Sequence, residues 1–375
     1  MARNNKVRVF VGTRKGGYIL ESDRSRKKFK VHGPFQGGND VYHVMPDPRE
    51  EGAVYAGVNS PFFGPMMYRS TDWGKKWKEI APPLMPVLKG RPPVDFSAGP
   101  PEHPIKNLWH IEPGPASEPK TVFLGVDPAS IYRSDDRGNS WQPLRGLNEH
   151  ETRSKWGPGA GGLCLHTILL DPTRPSRMYI GISAAGTFRS DDAGEHWRPV
   201  NKGVRVSFLP DPYPEIGQCV HKVAMDPATP STLYRQDHDG IYVSHDGMES
   251  GKQVGKPIPG GDFGFVVTAP ATMPGNAFFV PLLGQSRTGY GGSVQVWRWT
   301  EKGRKWAPTI RGHQFPGDVG THREGLASDG LDPAGLYLGT NSGQLLWSRD
   351  GAKSWQMVPY LFPGIHSLTV STPAG

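Results

Sequence analysis

Histidine is the side chain whose charge changes near neutral pH and the commonest protein metal ligand. Six of the 13 histidines in this chain recur in one context. His43, His110, His166, His221, His322 and His366 each open a short apolar segment, as in Cys219-Val220-His221-Lys222 and Gly364-Ile365-His366-Ser367. Imidazoles brought to one level by separate strands can surround a transition metal such as zinc, iron, manganese or copper without long side chains. All six are therefore expected metal ligands, led by His43, His110, His166 and His221. Glu112, two residues after His110, shares its face of a strand and is the expected proton carrier. Glu324 offers a second carboxylate, and Arg323 or Arg14 would orient an anionic group. Asn59, Trp109, Asp237 and His238 complete the expected substrate-binding set. Cys164 and Cys219 stand two residues before His166 and His221, either as thiolate ligands or as small packing residues. The plainer alternative for the histidines is hydrogen bonding between neighbouring inner strands.

The elements that must place these residues are repeated. The pattern Ser-x-Asp-x-Gly-x-x-Trp is complete at Ser70, Ser134 and Ser190; at Ser348 it keeps all four residue types with glycine one place early. Ser244 begins a copy without tryptophan, and the copies at Ser22 and Thr300 are eroded. The steps between these seven positions are 48, 64, 56, 54, 56 and 48 residues. That is the length of a four-stranded propeller blade with its loops. The box is turn chemistry, in which Ser and Asp side chains bond backbone amides, glycine takes a positive φ, and tryptophan covers the base of the hairpin. Strands rich in β-branched and aromatic residues lie upstream, such as Val54-Tyr55-Ala56-Gly57 and Val122-Phe123-Leu124-Gly125, preceded by segments ending in Asp-Pro-type turns.

The reading is an all-β fold, one seven-bladed β-propeller over residues 1–375 with four antiparallel strands, A to D from axis to rim, in each blade. The blades are expected at about 365–371 plus 7–31, 42–80, 108–144, 164–200, 219–254, 263–309 and 321–358. The C-terminal strand A would pair with the N-terminal strand B and close the ring, removing exposed sheet edges. The 49 glycines and 38 prolines suit many hairpins. No stretch is apolar enough to span a bilayer and no signal peptide is evident, so a cytoplasmic location is expected. Two cysteines give no disulfide framework. The net charge of +8 is scattered apart from Arg24, Arg26, Lys27, Lys28 and Lys30, so no nucleic-acid partner is expected. Antiparallel alternation places the histidines, the loops carrying Arg14, Asn59, Asp127, Ser183, Asp237, His238 and Asn341, and the long connections on one face. Those connections, 81–106, 156–162 and 201–217, would wall a central funnel.

The boxes at Ser70, Ser134 and Ser190 resemble the Asp-box, or BNR, repeats of sialidases, sortilin-type receptors and photosystem assembly factors. Gly161 to His166, Gly217 to His221 and Asp329 to Gly335 resemble bacterial propellers labelled sialidase-like or glycosyl hydrolase. The sialidase Phe/Tyr-Arg-Ile-Pro motif is absent, and Arg14, Arg235 and Arg323 are only a nominal arginine triad. Three functions follow as expectations. The first is a metal-dependent hydrolase or lyase acting on a small polar or anionic substrate on the axis, with oxygenase chemistry behind it. The second is a metal-free, sialidase-like glycoside hydrolase using a carboxylate pair such as Glu112 and Glu324. The third is a scaffold that binds a protein partner on the same face.

Overall fold

The computed structural model describes residues 5–83, 105–310, 315 and 319–372. Seven four-stranded antiparallel sheets make up the chain, each in sequence order except the first, which takes its innermost strand from the C-terminus. Ile365–Ser371 lies beside Lys6–Thr13 with Arg8 opposite Ser371 and Val11 opposite Leu368, so the ring closes as expected. The innermost strands are Asp40–Pro46, Asn107–Pro113, Leu165–Leu170, Val220–Met225, Gly264–Thr268, Leu326–Ser328 and Ile365–Ser371. Between blades, inward faces interlock around buried Phe10, Tyr55, Phe123, Phe188, Phe278 and Leu336. Among the described residues no helix is long and apolar enough to cross a membrane. The expected 81–106 wall lies mostly outside the described residues.

The Asp boxes behave as their chemistry requires. Ser190 Oγ donates to Asp192 Oδ1 and accepts from the amides of Asp192 and Gly194, and Asp192 accepts from the amide of His196. The same set recurs at Ser70, Ser134, Ser244 and Ser348. Two adjacent residues in each turn are left-handed: Trp73 and Gly74, Arg137 and Gly138, Ala193 and Gly194, Gly247 and Met248, Gly351 and Ala352. Glycine relieves one member of this pair in every copy. That explains why the glycine of the Ser348 box can stand one place early without changing the turn. The eroded copies have lost the device, since Ser22 Oγ is buried without a partner and Thr300 bonds Asn276 instead. Arg26, from the basic cluster, is buried and clamps the seventh blade to the first through Asp329 and the carbonyls of Pro333 and Arg349.

One feature of the innermost strands was not expected. Register shifts interrupt the A–B pairing between Val41 and His43, Leu108 and His110, Leu165 and Thr167, Val220 and Lys222, and Gly264 and Val267. A matching shift separates Gly12 from Thr13 in the closing pair. The bulged residues are Tyr42, Trp109, His166, His221 and His366, with Phe265 in blade six and Glu324 in the corresponding place before Gly325. A β-bulge leaves one residue outside the ladder and re-aims its side chain, and a one-residue slip sends a side chain to the opposite face. The six histidines are therefore not equivalent. His43 and His110 stay in the ladder opposite Gly57 and Gly125, whereas His166, His221 and His366 occupy the bulge.

Candidate functional site

Five of the six bulged residues, Tyr42, Trp109, His221, Phe265 and His366, open together with Glu324 into one cavity of about 610 Å³. His238, Phe263, Arg287, His322, Arg323 and the Gly159–Gly161 segment complete its wall. The strand B glycines explain how the rings come so close. A Cβ on Gly57 would meet Leu108 at 3.1 Å, one on Gly125 would meet the Leu165 carbonyl at 2.5 Å, and one on Gly339 would meet Ile365. Each blade thus slides its bulge against the backbone of its neighbour.

The floor is ionic. Lys222 donates to Glu324 Oε1 at 2.6 Å, and His110 Nδ1 donates to the same oxygen at 3.0 Å from across the axis. On its other side His110 Nε2 faces Glu112 Oε2 at 3.4 Å. Burial alone would raise the Glu324 carboxyl, but Lys222 and His110 outweigh it and hold it well below the usual carboxylate range. Burial would likewise lower His110, but Glu324 and Glu112 outweigh that and raise it. Lys222, Glu324, His110 and Glu112 thus form one linked chain of polar groups, the first three of them largely buried. His43, its ring tilted 30° against that of His110 with centroids 4.8 Å apart, is pushed down to about 3 by burial and by His110.

The expectation of an axial ion held by three or four of the six histidines, such as His43, His110, His166 and His221, meets nitrogens that are already engaged. His43 Nδ1 accepts the amide of Ile111, so its proton sits on Nε2 and no lone pair is left for a metal. His166 donates from Nε2 to the Val220 carbonyl and accepts from Thr167 at Nδ1, so both nitrogens are used. His110 is held as described between Glu324 and Glu112. Although His43, His110 and Glu324 place ligand atoms within 4.8 Å of one another, the Lys222 ammonium already supplies the cation there. His366 Nε2 bonds Asp40 at 2.6 Å. His322, pushed down to about 4 by burial and by His366, keeps a buried Nε2 with no partner. The blade-to-blade hydrogen bond, the plainer reading, is what His43, His166 and His221 make.

Other expectations divide. Trp109, His238, Arg323 and Glu324 line the cavity, with the Arg323 guanidinium over Trp109 at 5.8 Å and over Phe265 at 5.5 Å. Glu112 does not line it and instead supports His110 from behind. Asp237 is 1% exposed and locked to Arg235, so neither is open to substrate and Arg235 leaves the nominal arginine triad. Asn59 bonds Asn107, and Arg14 packs against Gly364; neither reaches the cavity. Cys164 is buried, its thiol pushed up to about 12 by burial, whereas Cys219 is half-buried and lines the cavity.

Asp127 is a group that sequence reasoning placed on the right face without giving it a role. It is buried beneath Gly162, whose Cβ would lie 2.9 Å from Oδ2, and burial raises it to about 6 with only Lys106 opposing. Tyr42, Phe265 and Asp127 carried no distinctive spacing; the signal available was the repeated strand B glycine, which marks the approach of the next blade's bulge.

A family model described as BNR-Asp box repeat matches residues 67–80. Over an alignment of 224 residues the chain is 25% identical to the oligoxyloglucan-reducing end-specific xyloglucanase of Emericella nidulans, covering 52% of this chain and 26% of that enzyme. The chain thus spans about a quarter of the length of the curated relative it matches. In fold it is similar to the GH74 xyloglucanase from Xanthomonas campestris, with TM-score 0.64, 17% identity, and coverage of 93% of this chain and 52% of that one. It is also similar to YCF48 bound to a D1 peptide, with TM-score 0.50, 12% identity and 85% of both chains covered. At such identities the structural likeness is one of fold. With seven four-stranded blades and five working Asp boxes, the chain is a BNR-repeat β-propeller.

Proposed function

We propose that this propeller is a glycoside hydrolase that cleaves a glucan-type oligosaccharide held over its axis, with carboxylates performing the chemistry. The observation that carries the reading is a pair of carboxyls whose surroundings drive them apart. Glu324, on the cavity floor, is held ionised, and Asp127, beneath the Gly159–Gly162 wall, is raised to about 6. Such a split assigns roles, because a carboxyl whose pKa is raised, and which holds its proton up to about pH 6, serves as general acid, and a group kept ionised serves as nucleophile or base. The two come from blades three and seven; Glu324 lines the cavity itself, and Asp127 lies buried just behind its Gly159–Gly161 rim, under Gly162.

The rest of the cavity suits a sugar. Trp109, Tyr42 and Phe263 offer flat apolar faces to pyranose rings, and Asn341, Thr321 and the unpartnered Nε2 of His322 offer hydrogen bonds to hydroxyls. Lys222 and His110 fix the orientation of Glu324 and sustain its charge. The Emericella relative is a xyloglucanase, and xyloglucan is therefore the first substrate class to try. The test is hydrolysis of xyloglucan oligosaccharides and other β-glucans, with products followed by mass spectrometry. Glu324→Gln should reduce cleavage to background, and Asp127→Asn should lower it by roughly 10²–10⁴-fold. Cleavage at wild-type rate by both variants would refute the assignment.

A further inference from the structure

We infer that Cys219, His221 and His238 form a binding site for a soft divalent transition metal, zinc-like in preference, on one wall of the cavity. These three side chains offer Sγ and imidazole nitrogens that all lie within 4.8 Å of one another. All three line the same cavity, so a fourth coordination position faces open space rather than protein.

The protonation pattern selects this trio over His43, His110 and His166. His221 donates from Nδ1 to the carbonyl of Gly264 at 2.5 Å, which leaves a lone pair on Nε2. A histidine that gives one N–H to a backbone carbonyl and presents the other nitrogen is the usual arrangement behind a metal-bound imidazole. That Nε2 lies 3.5 Å from Cys219 Sγ. Bonds of about 2.3 Å to sulfur and about 2.0 Å to nitrogen, meeting at a tetrahedral angle, need the two ligand atoms about 3.5 Å apart. The spacing is thus set before any ion arrives. It arises from the bulge, which turns His221 off the ladder toward the cavity and onto the same side as Cys219.

His238 closes the set from the loop after strand B. Its ring stands edge-on to His221, with centroids 5.9 Å apart, and against Phe263 at 5.2 Å. It is exposed, so it can swing by one rotamer onto the ion. Binding replaces the S–H···N contact by S–metal–N and sends the thiol proton to solvent. Arg323 and Arg287 lie near His221. Their charge favours an anionic or strongly polar oxygen ligand, such as a carboxylate or a sugar hydroxyl, in the open position. Two thiol- or imidazole-bearing neighbours that resemble the trio do not qualify. Cys164 is fully enclosed and His166 has neither nitrogen free.

Full-length protein without a histidine tag, stripped with chelator, is titrated with cobalt(II) as a spectroscopic probe and then with zinc(II). The expected result is one equivalent of cobalt giving a thiolate-to-metal charge-transfer band and intense tetrahedral d–d bands, both erased by one equivalent of zinc. Cys219→Ser should abolish the charge-transfer band, His238→Ala should weaken cobalt binding at least 10-fold, and Cys164→Ser should change nothing. Circular dichroism of each metal-free variant confirms the fold, and the wild-type titration stands whether or not a variant folds. Absence of the charge-transfer band in folded wild-type protein, or its persistence in Cys219→Ser, overturns the site.

Discussion

The Asp-box turns and the axial cavity are built by the same repeats, yet they use their polar groups in opposite ways. At Ser70, Ser134, Ser190, Ser244 and Ser348 the serine and aspartate oxygens turn back onto amides of their own turn. Around the cavity the repeat places tyrosine, tryptophan, phenylalanine or histidine at the bulge, and groups such as His322 Nε2 are left unpartnered. Where the copies agree, they stabilise hairpins; where they diverge at an equivalent backbone position, they present chemistry. The bulge is the device that permits this, because it frees one side chain per blade from the ladder while the strands on either side keep their pairing.

That contrast can be broken at several points. His166 is the one bulge residue that does not line the cavity, so it should behave like a core group. Its replacement by alanine orphans the Val220 carbonyl and empties a filled interface, and a loss of about 3 kcal/mol or more is expected in urea unfolding. A loss below about 1 kcal/mol would contradict the role given to the blade-to-blade bond.

Asp127 gives the second test, through pH. Its folded pKa of about 6 lies above that of an unfolded aspartate, so its contribution to stability is full below the unfolded value and fades as pH rises through about 6. Asp127→Asn should therefore flatten this part of the stability profile and stabilise the protein at pH 8 by about 3 kcal/mol at most. In wild-type protein the same titration predicts cleavage that declines above about pH 6 as the general acid loses its proton. Chemical denaturation across pH and a pH–rate profile measure the two effects separately.

Smaller effects separate intact boxes from eroded ones. Ser190→Ala removes one donor contact and two accepted amide bonds, and should cost about 1–2 kcal/mol. Ser22→Ala removes a hydroxyl with no partner and should change thermal unfolding little. Ala193→Gly, at φ 59°, should stabilise by up to about 1 kcal/mol by relieving a left-handed residue beside Gly194. Equal costs at Ser190 and Ser22 would show that the hydrogen-bond set is not what holds these turns.

Much of the ring was legible because its signals are local. Turn residues, strand composition and spacing all lie within a few positions of one another, and the closing strand announces itself by matching the other A strands. The site was only half legible. The face, Trp109, His238, Arg323 and Glu324 followed from topology, but the bulge did not, because a slip of one residue changes register without changing composition. His43 and His221 look alike in sequence, yet one points its lone pair at an amide and the other points it into the cavity. Likewise the Lys222–Glu324–His110 link joins three blades, and contacts across the axis have no sequence separation that marks them.

The most direct test of the central claim is cleavage of a defined xyloglucan oligosaccharide by wild-type protein and by Glu324→Gln at pH 5.5 or so, below the pKa of Asp127. Turnover is expected of the wild type, and background hydrolysis of the variant with its strands and thermal transition retained. Undiminished cleavage by folded Glu324→Gln, or wild-type protein inert toward every β-glucan offered, would contradict it.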